Sequence, residues 1–399
     1  MVTRFAVDTS TLLRYPQVVN EYKCVILSCV LRELEKHKIS RDEDLRYQAR
    51  EATRVLEASV VANTIETDYK DYSFNLAAMY DPNYTDNQIL QACKESGYGL
   101  ITDDLLLRLK STGFGVEVLR LKEPELYVGY RDVVLNDEVA NIYLTPEINH
   151  LNLLLNEYLI VRSQNGKVKD KFKWTENGLE KSTKKSFKSK WAEGNKIEAR
   201  NTEQELYIDM LHDDNIFVKV VSGAWGTGKD VIALNYFLNL IDAGKFKKII
   251  WARNNIDAKD IKALGFLPGD QQDKLSPYAE LIGDLLGEKS QMDKLIDEGK
   301  IELVHTGFLR GRDFSDSIIY CSEAQNTTAN LLGLIMSRAS KNATVFLNGD
   351  IDQVDGHMSR TSNGLITAIN TFKGMPHFGH VQLKTIERSE IARMANLLR

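Results

Sequence analysis

Short apolar segments alternate with longer stretches of helical periodicity along most of the chain. In the first part of the sequence this pattern predicts strands at 4–7, 24–27 and 99–102. After about residue 200 it predicts strands at 217–222, 248–252, 301–305, 317–321, 344–348 and 380–383, with helices between them. Strands that alternate with helices favour parallel sheets, so we expect the α/β class, with a parallel sheet in each part.

The segment between these two parts has a different pattern. Asn165-Gly166 and Asn177-Gly178 are two-residue hairpin signals beside alternating stretches such as 167–174. We therefore predict a small antiparallel β insertion followed by a basic connector. The predicted domains are 1–125, 126–199 and 200–399.

Ten lysines lie between residues 166 and 196, interleaved with four aromatic residues. Cations and aromatic rings suit single-stranded nucleic acid, because they neutralise phosphates and stack on bases. The candidate contacts are Lys171, Lys173, Trp174, Lys185 and Trp191. A solvated lysine-rich linker, with its two tryptophans forming a local core, explains the same pattern equally well.

Composition narrows the class of protein. The formal net charge of −5 and the pI near 5.9 exclude a globally basic surface, so attraction of nucleic acid would have to be local. The four cysteines are scattered through apolar runs and predict reduced core thiols rather than a zinc site or disulfides. No signal peptide and no run of 18 apolar residues is evident, so we expect a cytoplasmic protein that does not span a membrane.

Carboxylates follow the predicted strands of the first part. Asp8 ends the first strand, Glu33 lies on the helix after the second, Asp86 opens the helix at 85–92, and Asp103-Asp104 follow the strand at 99–102. Ligands bind beyond the carboxyl ends of parallel strands, where these acids can converge on Mg²⁺ or Mn²⁺. Taken singly, Asp86 and Asp103 are more typical of helix N-caps. Helical spacing alone leaves open whether Glu33 or Glu35 faces the pocket.

The stretch 223–230, with sequence GAWGTGKD, follows a predicted buried strand and precedes a predicted helix. It fits the phosphate-loop pattern up to its last position. Glycines let backbone amides turn around a polyphosphate, and a lysine adds a cation for the outer phosphates. The predicted ATP contacts are Gly223, Gly226, Thr227, Gly228, Lys229 and Asp230. The less specific alternative is a glycine-rich turn with an exposed lysine.

The acidic motifs of the first part resemble the PIN domain family of metal-dependent ribonucleases. The resemblance covers roughly 120 residues and rests on Asp8, on VLREL with Glu33, on TDNQIL with Asp86, and on Thr102-Asp103-Asp104. It implies that Asp8, Asp86 and Asp104 hold one or two metal ions and that, with Glu33, they catalyse phosphodiester hydrolysis.

The part from about 200 to 399 resembles the PhoH family of ATPases, which are related to superfamily one helicases. Matches run along the whole segment: RNTEQ at 200–204, LGFLPG at 264–269, DKLSPY at 273–278, FLRGR at 308–312, EAQN at 323–326, GDIDQ at 349–353 and ERS at 387–389. The order of the two parts resembles a fusion class that couples RNA unwinding with RNA cleavage.

The PhoH resemblance also implies roles for individual residues. Gln204 would read the adenine edge, Gln353 would contact the outer phosphate, and Glu323 would orient the attacking water. Arg388 or Arg312 would supply transition-state charge across a subunit boundary of a homo-oligomeric ring, a hexamer by analogy.

Two positions depart from the PhoH pattern. Asp230 stands where a magnesium-binding Thr or Ser belongs, and Ser322 stands where a strand-end Asp belongs. Either the domain binds nucleotide without hydrolysing it, or the two metal ligands, one hydroxyl and one carboxylate, have exchanged positions.

The combined interpretation is an ATP-dependent RNA helicase and ribonuclease that moves single-stranded RNA toward the metal-dependent acidic site. The residues do not distinguish RNA from DNA. One alternative is a nucleotide-gated scaffold without turnover. Another is a toxin-like nuclease that ATP binding regulates.

Overall fold

The computed structural model describes residues 4–70, 72, 80–121, 126–253, 282–287, 289–306, 309–353, 363–390 and 394. The chain divides into two units, Met1–Glu125 and Leu126–Arg399. Two motifs of the PhoH resemblance, 264–269 and 273–278, lie outside the described residues, as does the first residue of a third, 308–312. Among the helices that are described, none combines the length and apolarity needed to cross a membrane.

The first unit is built around a five-stranded sheet with all strands parallel. Its strands are β1 (Phe5–Val7), β2 (Cys24–Leu27), β3 (Glu66–Asp68), β4 (Gly99–Ile101) and β5 (Val118–Leu119), in the order β3-β2-β1-β4-β5. Its helices are α1 (Thr9–Arg14), α2 (Val18–Glu21), α3 (Ser28–Lys38), α4 (Glu43–Val61), α5 (Thr85–Ser96) and α6 (Leu105–Gly113). The predicted α/β class is confirmed for this unit.

Burial explains why the first unit adopts this sheet. β2 and β4 are buried at every position, as continuous apolar strands covered on both faces should be. Cys24, Cys29 and Cys93 lie in the same core and are free thiols, as is Cys321 in the second unit. The central pair, β1 and β4, ends at one sheet edge, and the predicted acids follow those ends.

The second unit contains a six-stranded parallel sheet. Its strands are β12 (Val218–Gly223), β13 (Lys248–Arg253), β14 (Ile301–His305), β15 (Ser317–Ser322), β16 (Thr344–Gly349) and β17 (Phe378–Leu383), in the order β14-β13-β15-β16-β12-β17. The helices are α8 (Thr202–His212), α9 (Lys229–Asp242), α10 (Lys289–Asp297), α11 (Ala329–Met336) and α12 (Gly364–Phe372). β16 therefore lies between the strand that precedes the glycine loop and the strand that precedes Glu323.

Residues 126–199 are part of the second unit and are ordered into two further sheets. One contains β6 (Tyr130–Val134), β7 (Tyr158–Arg162), β8 (Val168–Thr175) and β9 (Gly178–Lys181), and the other pairs β10 (Ser186–Lys188) with β11 (Lys196–Glu198). Both predicted hairpins, β7–β8 and β8–β9, are present.

We predicted an antiparallel β insertion, but one of its strand pairs is parallel. β6 pairs with β7 in parallel, because α7 (Asp137–Leu144) lies in the connection between them. The predicted connector is likewise ordered, with β10 and β11 forming an antiparallel pair. The division into three domains stays a prediction.

Candidate nucleotide and carboxylate sites

Four of the predicted acids in the first unit lie near one another. Asp8 follows β1, Asp104 follows β4, and Asp86 lies in the first turn of α5. The phenol of Tyr84 reports the grouping: its pKa is raised chiefly by Asp86, and also by burial, Asp104, Glu33 and Asp8. We call Asp8, Glu33, Asp86 and Asp104 the carboxylate cluster.

Asp8 is the most buried member of the cluster, with 3% of its surface exposed. One carboxylate oxygen, Oδ2, accepts hydrogen bonds from the hydroxyls of Ser10 at 2.5 Å and Thr102 at 3.0 Å. Burial nevertheless raises the pKa of Asp8, against the effect of those hydroxyls, and Glu33 adds to the increase. The fold thus holds a poorly solvated carboxylate at the end of a central strand.

Asp104 is the N-cap of α6, and its side chain accepts a hydrogen bond from the backbone N–H of Leu107 at 2.7 Å. The sequence pattern predicted that Asp103 would be the N-cap, but the N-cap is Asp104. Asp86 does not cap α5, because the N-cap of that helix is Tyr84. Asp86 is thus free of the structural role that its sequence position suggested.

The helix α3 separates its two glutamates. The charge of Glu33 contributes to the raised pKa values of Asp8, Asp86 and Tyr84. Glu35 is exposed instead and lines a different cleft together with Ile26. Glu33 therefore belongs to the cluster, in line with the motif match.

The oxygen donors of the cluster are of the kind that Mg²⁺ and Mn²⁺ prefer. No three of the described His, Cys, Asp and Glu side chains are, as they lie, arranged to hold a metal ion. Burial, and then repulsion from Asp8 and Asp104, raises the pKa of Asp86, so its ionised form is unfavourable without a counter-charge. Asp8, Asp86 and Asp104 would hold a cation only after their side chains draw together.

Asp86→Asn should stabilise the metal-free first unit above pH 6. Burial, followed by repulsion from Asp8 and Asp104, raises the pKa of Asp86 to about 6, above the unfolded value near 4. The folded state therefore binds more protons between those values, and wild-type stability falls as pH rises through that window. Thermal unfolding in chelator at pH 4 and pH 8 should show an advantage for the variant only at pH 8. An equal advantage at both pH values would contradict this origin.

The glycine loop of the second unit joins β12 to α9, as predicted. Gly228 has φ +86°, and a Cβ there would lie 2.9 Å from Nε2 of Gln204. Gly226 has φ +73°, and its Cβ would lie 2.9 Å from Cβ of Arg388. Two other segments of the unit thus approach the loop too closely for any larger residue.

Gln204 holds the loop rather than standing free beside it. Its Nε2 donates to the carbonyl oxygen of Thr227 at 2.9 Å, and its Oε1 accepts from the backbone N–H of Arg200 at 2.8 Å. Lys229 is 9% exposed, and its Nζ donates to the carbonyl oxygen of Ala224 at 3.3 Å. The lysine is therefore folded back over the loop, where a polyphosphate would replace the carbonyl as its partner.

The two candidate arginines lie in different places. Arg388 is exposed beside Gly226 of its own chain, and the adjacent Glu387 N–H donates to the carbonyl oxygen of Gly226 at 2.8 Å. Arg312 instead donates to Glu302 at 2.5 Å and lies over the ring of Phe314. Of the two, Arg388 is the one that lies beside the glycine loop, and that loop belongs to its own chain.

Asp230 takes part in a buried polar network that joins three elements. Its Oδ1 accepts from the hydroxyl of Tyr320 on β15 at 2.9 Å and from the amide of Asn348 on β16. The Asn348 amide also donates to the Tyr320 oxygen at 3.2 Å. Burial, with a contribution from Asp230, raises the pKa of Tyr320 well above its usual range, so the phenol stays a donor. Oδ2 lies on the side of Lys229, 3.9 Å from Nζ.

A second network surrounds Glu323, which has a left-handed backbone at φ 54° and ψ 44°. Such strain in a non-glycine residue is characteristic of functional sites. Its Oε2 accepts from Nε2 of buried Gln325 at 2.6 Å, and the same nitrogen donates to the carbonyl oxygen of Gln353 at 3.0 Å. Oε1 of Gln325 accepts from the N–H of Asp350 at 3.0 Å. Gln325 thus ties the ends of β15 and β16 together.

The predicted nucleic-acid lysines have intramolecular partners. Lys171 pairs with Glu205 and Lys173 with Asp213, both with 11% of the lysine side chain exposed, and Lys185 lies 3.7 Å from Glu205. Electrostatic attraction to phosphate is weakened for a lysine already neutralised by a carboxylate.

The two tryptophans of that segment are packed rather than presented to solvent. Trp174 packs against the small core of the β insertion, and Trp191 packs against the main core of the unit, with its Nε1 donating to Asp242 at 2.9 Å. These placements agree with the alternative of tryptophans in a local core. The segment nevertheless forms ordered sheets rather than a solvated linker.

Comparison with known protein families gives a match over just over half of the chain, because the family model described as PhoH-like protein covers residues 196–397. The chain belongs to the PhoH-like family. A second model, described as PIN domain, matches residues 5–122. The protein therefore joins a PIN domain, of the nuclease family, to a PhoH-like domain of the ATPase class, which confirms both resemblances.

Two full-length relatives share this organisation. Protein PhoH2 of Bacillus subtilis is 26% identical over 442 aligned residues, which cover 98% of each chain. Protein PhoH2 of Thermobispora bispora is 26% identical over 419 residues, covering 98% of this chain and 95% of the relative. Among solved structures, a PilT N-terminus domain protein from Sulfolobus solfataricus aligns to 29% of this chain and 86% of its own, at 15% identity and a TM-score of 0.20.

Sequence reasoning did not assign roles to Tyr320, Asn348 or Gln325. A pattern does hint at two of them: Tyr320 and Asn348 each lie two positions before a polar strand end, so they face the same side of the sheet as Ser322 and Asp350. Their contact with Asp230 depends on the strand order of the PhoH-like sheet, which the pattern does not give. Gln325 was noted only as part of a motif.

Proposed function

We propose that the protein hydrolyses ATP in its PhoH-like unit to drive single-stranded RNA to the carboxylate cluster of its PIN domain, where the RNA is cleaved. The observation that carries the proposal is the common edge of the six-stranded sheet. There the glycine loop with Lys229, the strained Glu323 and the Gln325 network follow the ends of β12, β15 and β16. That edge is where parallel sheets bind nucleotides.

The PhoH-like site would bind ATP with Mg²⁺. Lys229 and the loop amides would hold the phosphates, Glu323 would orient the attacking water, and Gln353 and Arg388 would contact the outermost phosphate. Asp230 and Ser322 would hold the cation, which would supply positive charge against the phosphates. The position of Arg388 beside its own loop supports a contribution from within the same chain.

The carboxylate cluster would bind Mg²⁺ or Mn²⁺ through Asp8, Asp86 and Asp104, assisted by Glu33. A bound cation lowers the pKa of water and so supplies a nucleophile at neutral pH. Burial of Asp8 and its contacts with Ser10 and Thr102 fix one ligand in advance.

The proposal is tested by steady-state ATP hydrolysis with Mg²⁺, with and without single-stranded RNA, alongside cleavage of the same RNA. Turnover that RNA stimulates would support the motor. ATP binding without turnover would instead favour the second candidate, a nucleotide-gated scaffold. One observation favours that candidate: Oδ1 of Asp230 is occupied by Tyr320 and Asn348, where the pattern requires a free hydroxyl.

The exchange of metal ligands between Asp230 and Ser322 remains part of the proposal. Ser322 ends β15 two positions after Tyr320, so both side chains face Asp230's side of the sheet. The site thereby keeps one carboxylate and one hydroxyl, although their positions in the chain are reversed.

Asp230→Thr combined with Ser322→Asp should retain or raise ATP turnover, whereas each single reversal should lower it by roughly tenfold. The first single variant leaves no carboxylate at the two proposed ligand positions, and the second adds a like charge beside the phosphates at a cost of about 1 to 4 kcal/mol. The test measures ATP turnover of the wild type, the two single variants and the double variant. Thermal unfolding of the same proteins measures the stability lost when Tyr320 and Asn348 no longer have Asp230 as their hydrogen-bond acceptor. Equal turnover in all four proteins would refute the exchange.

We further propose a homo-oligomeric ring in the cytoplasm, a hexamer by family analogy. Native mass spectrometry with and without ATP tests the assembly, and a protein that stays monomeric in both conditions would remove the ring from the proposal.

A further inference from the structure

A cation and two aromatic rings border the carboxylate cluster of the PIN domain. Lys110, on α6, reaches to α5, where its Nζ donates to Oδ1 of Asn87 at 3.0 Å. The same nitrogen lies 5.2 Å from the ring centre of Tyr80 and 5.5 Å from that of Tyr84. We call Lys110, Tyr80 and Tyr84 the rim.

The rim lysine is held without being neutralised. Among the described residues, no carboxylate oxygen lies within ion-pair distance of its ammonium, although Lys110 acts electrostatically on Asp86. Its partner Asn87 is 3% exposed, and the Asn87 amide is fixed in turn by a hydrogen bond to the carbonyl oxygen of Asp81 at 2.8 Å. A lysine held by neutral partners keeps its full charge for an anion.

Tyr84 presents an aromatic face at the same place. It is 55% exposed, although it lies close enough to the cluster for all four carboxylates to act on its hydroxyl. A large ring this exposed beside a polar site is suited to stacking, and only an unstacked base can reach a single ring on a surface.

The charges around the rim specify the occupant. A phosphodiester chain approaching four carboxylates is repelled, so a substrate with a phosphate backbone needs a cation beside them. Lys110 would contact a phosphate and Tyr84 would stack on the neighbouring base, which together fit a single-stranded nucleic acid. A duplex would offer the phosphates but no base face.

We infer that Lys110 and Tyr84 form a substrate-positioning site for single-stranded nucleic acid at the border of the carboxylate cluster. This inference rests on the proposed nuclease function, because it assigns the rim to the same substrate. It places the recognition of that substrate within the PIN domain rather than in the lysine-rich segment, where Lys171 and Lys173 are paired.

The test uses the full-length protein and a short oligouridine, without ATP. Tyr84→Ala should raise the KM for cleavage roughly tenfold, whereas Tyr84→Phe should leave it within about twofold, because the ring is kept. Lys110→Met should also raise KM and reduce the salt dependence of binding by about 0.7 in the log–log slope, the contribution of one phosphate contact on a single strand. Lys110→Arg should restore both values.

Matched controls come from the same unit. Tyr69 is 69% exposed after the edge strand β3, and Lys94 lies 5.0 Å from the ring of Phe114, so it makes the same kind of cation–ring contact. Tyr69→Ala and Lys94→Met should leave KM and the salt slope unchanged. A lower kcat at constant KM in the rim variants would indicate a structural role and overturn the inference.

A second measurement locates the base directly. In an Asp8→Asn background, an oligouridine carrying 4-thiouridine should cross-link to residues 80–87, and an oligodeoxyuridine probe shows whether DNA serves as well. Cross-links there without cleavage by the wild-type protein would reject the nuclease function but retain the binding site. Cross-links confined to other residues would overturn the inference, whether or not the wild-type protein cleaves RNA.

Discussion

Lys229→Ala is expected to reduce ATP turnover by at least about 10²-fold, the usual effect of removing one preorganised group that stabilises transition-state charge. Lys229 is buried at the first position of α9, and within the part of the chain that the structure describes its ammonium contacts the carbonyl oxygen of Ala224 and the carboxylate of Asp230. Neither contact requires the ammonium for folding, so its loss should fall on nucleotide chemistry. Phosphate release with saturating Mg²⁺ and ATP, together with nucleotide binding by calorimetry, measures the two effects separately.

The matched control for this variant is Lys247→Ala. Lys247 is 73% exposed and pairs with Asp316 just before β15 begins, at the opposite edge of the sheet from the glycine loop. Its loss should leave turnover unchanged, and RNA cleavage without ATP should survive in both variants. Undiminished turnover in Lys229→Ala would show that the glycine loop is not where ATP is hydrolysed.

Much of the architecture can be predicted because it is encoded locally. Apolar β-branched runs such as 317–321 form buried central strands. The strand, loop and helix around Lys229 lie where the glycine pattern predicts them. Asp8 and Asp86 can be proposed from the sequence because strand ends and helix starts are visible in the pattern. Parallel topology then brings such positions to one edge.

The remainder depends on contacts between segments far apart in sequence. The hydrogen bond from Tyr320 to Asp230 spans 90 positions, and it arises from the order β15-β16-β12 rather than from either local pattern. In the sequence, the lysines of the β insertion suggest a nucleic-acid surface. In the structure, Lys171 and Lys173 form ion pairs with Glu205 and Asp213, which lie far from them in sequence. Charge patterns predict exposure well only when no distant segment supplies the counter-charge.

These placements divide the protein's chemistry between its two units. In the PhoH-like unit Asp230, on α9, accepts hydrogen bonds from Tyr320 on β15 and Asn348 on β16, so its replacement should affect both the proposed metal site and the packing of α9. In the PIN domain the neighbouring acids raise the pKa of Asp86 after the larger effect of burial, and Asp8 is held by hydrogen bonds from Ser10 and Thr102. The substitution that separates the two activities most cleanly therefore lies at Asp8.

Asp8→Asn is expected to reduce RNA cleavage by about 10²- to 10³-fold, because a metal site that loses its fixed carboxylate forfeits several kcal/mol of charge stabilisation. Asparagine is isosteric, and its carbonyl oxygen can still accept from Ser10 and Thr102. The folded state should even gain stability near neutral pH, because burial raises the pKa of Asp8 and makes its ionised form unfavourable. Cleavage of a labelled oligouridine with Mg²⁺ or Mn²⁺, and thermal unfolding in chelator, measure both effects.

Asp68→Asn is the matched control, because Asp68 also ends a strand of the same sheet. Its carboxylate accepts hydrogen bonds from Tyr72 and Tyr98, and Asp68 is not among the groups that shift the pKa of Asp8 or Asp86. This variant should cleave RNA like the wild type, and ATP turnover should be unchanged in both. The two variants should also change stability in opposite directions. Hydrogen bonds from those tyrosines lower the pKa of Asp68 despite partial burial, so Asp68→Asn should destabilise the fold, whereas Asp8→Asn should stabilise it. Cleavage that survives in Asp8→Asn but not in Asp68→Asn would move the catalytic site away from the carboxylate cluster.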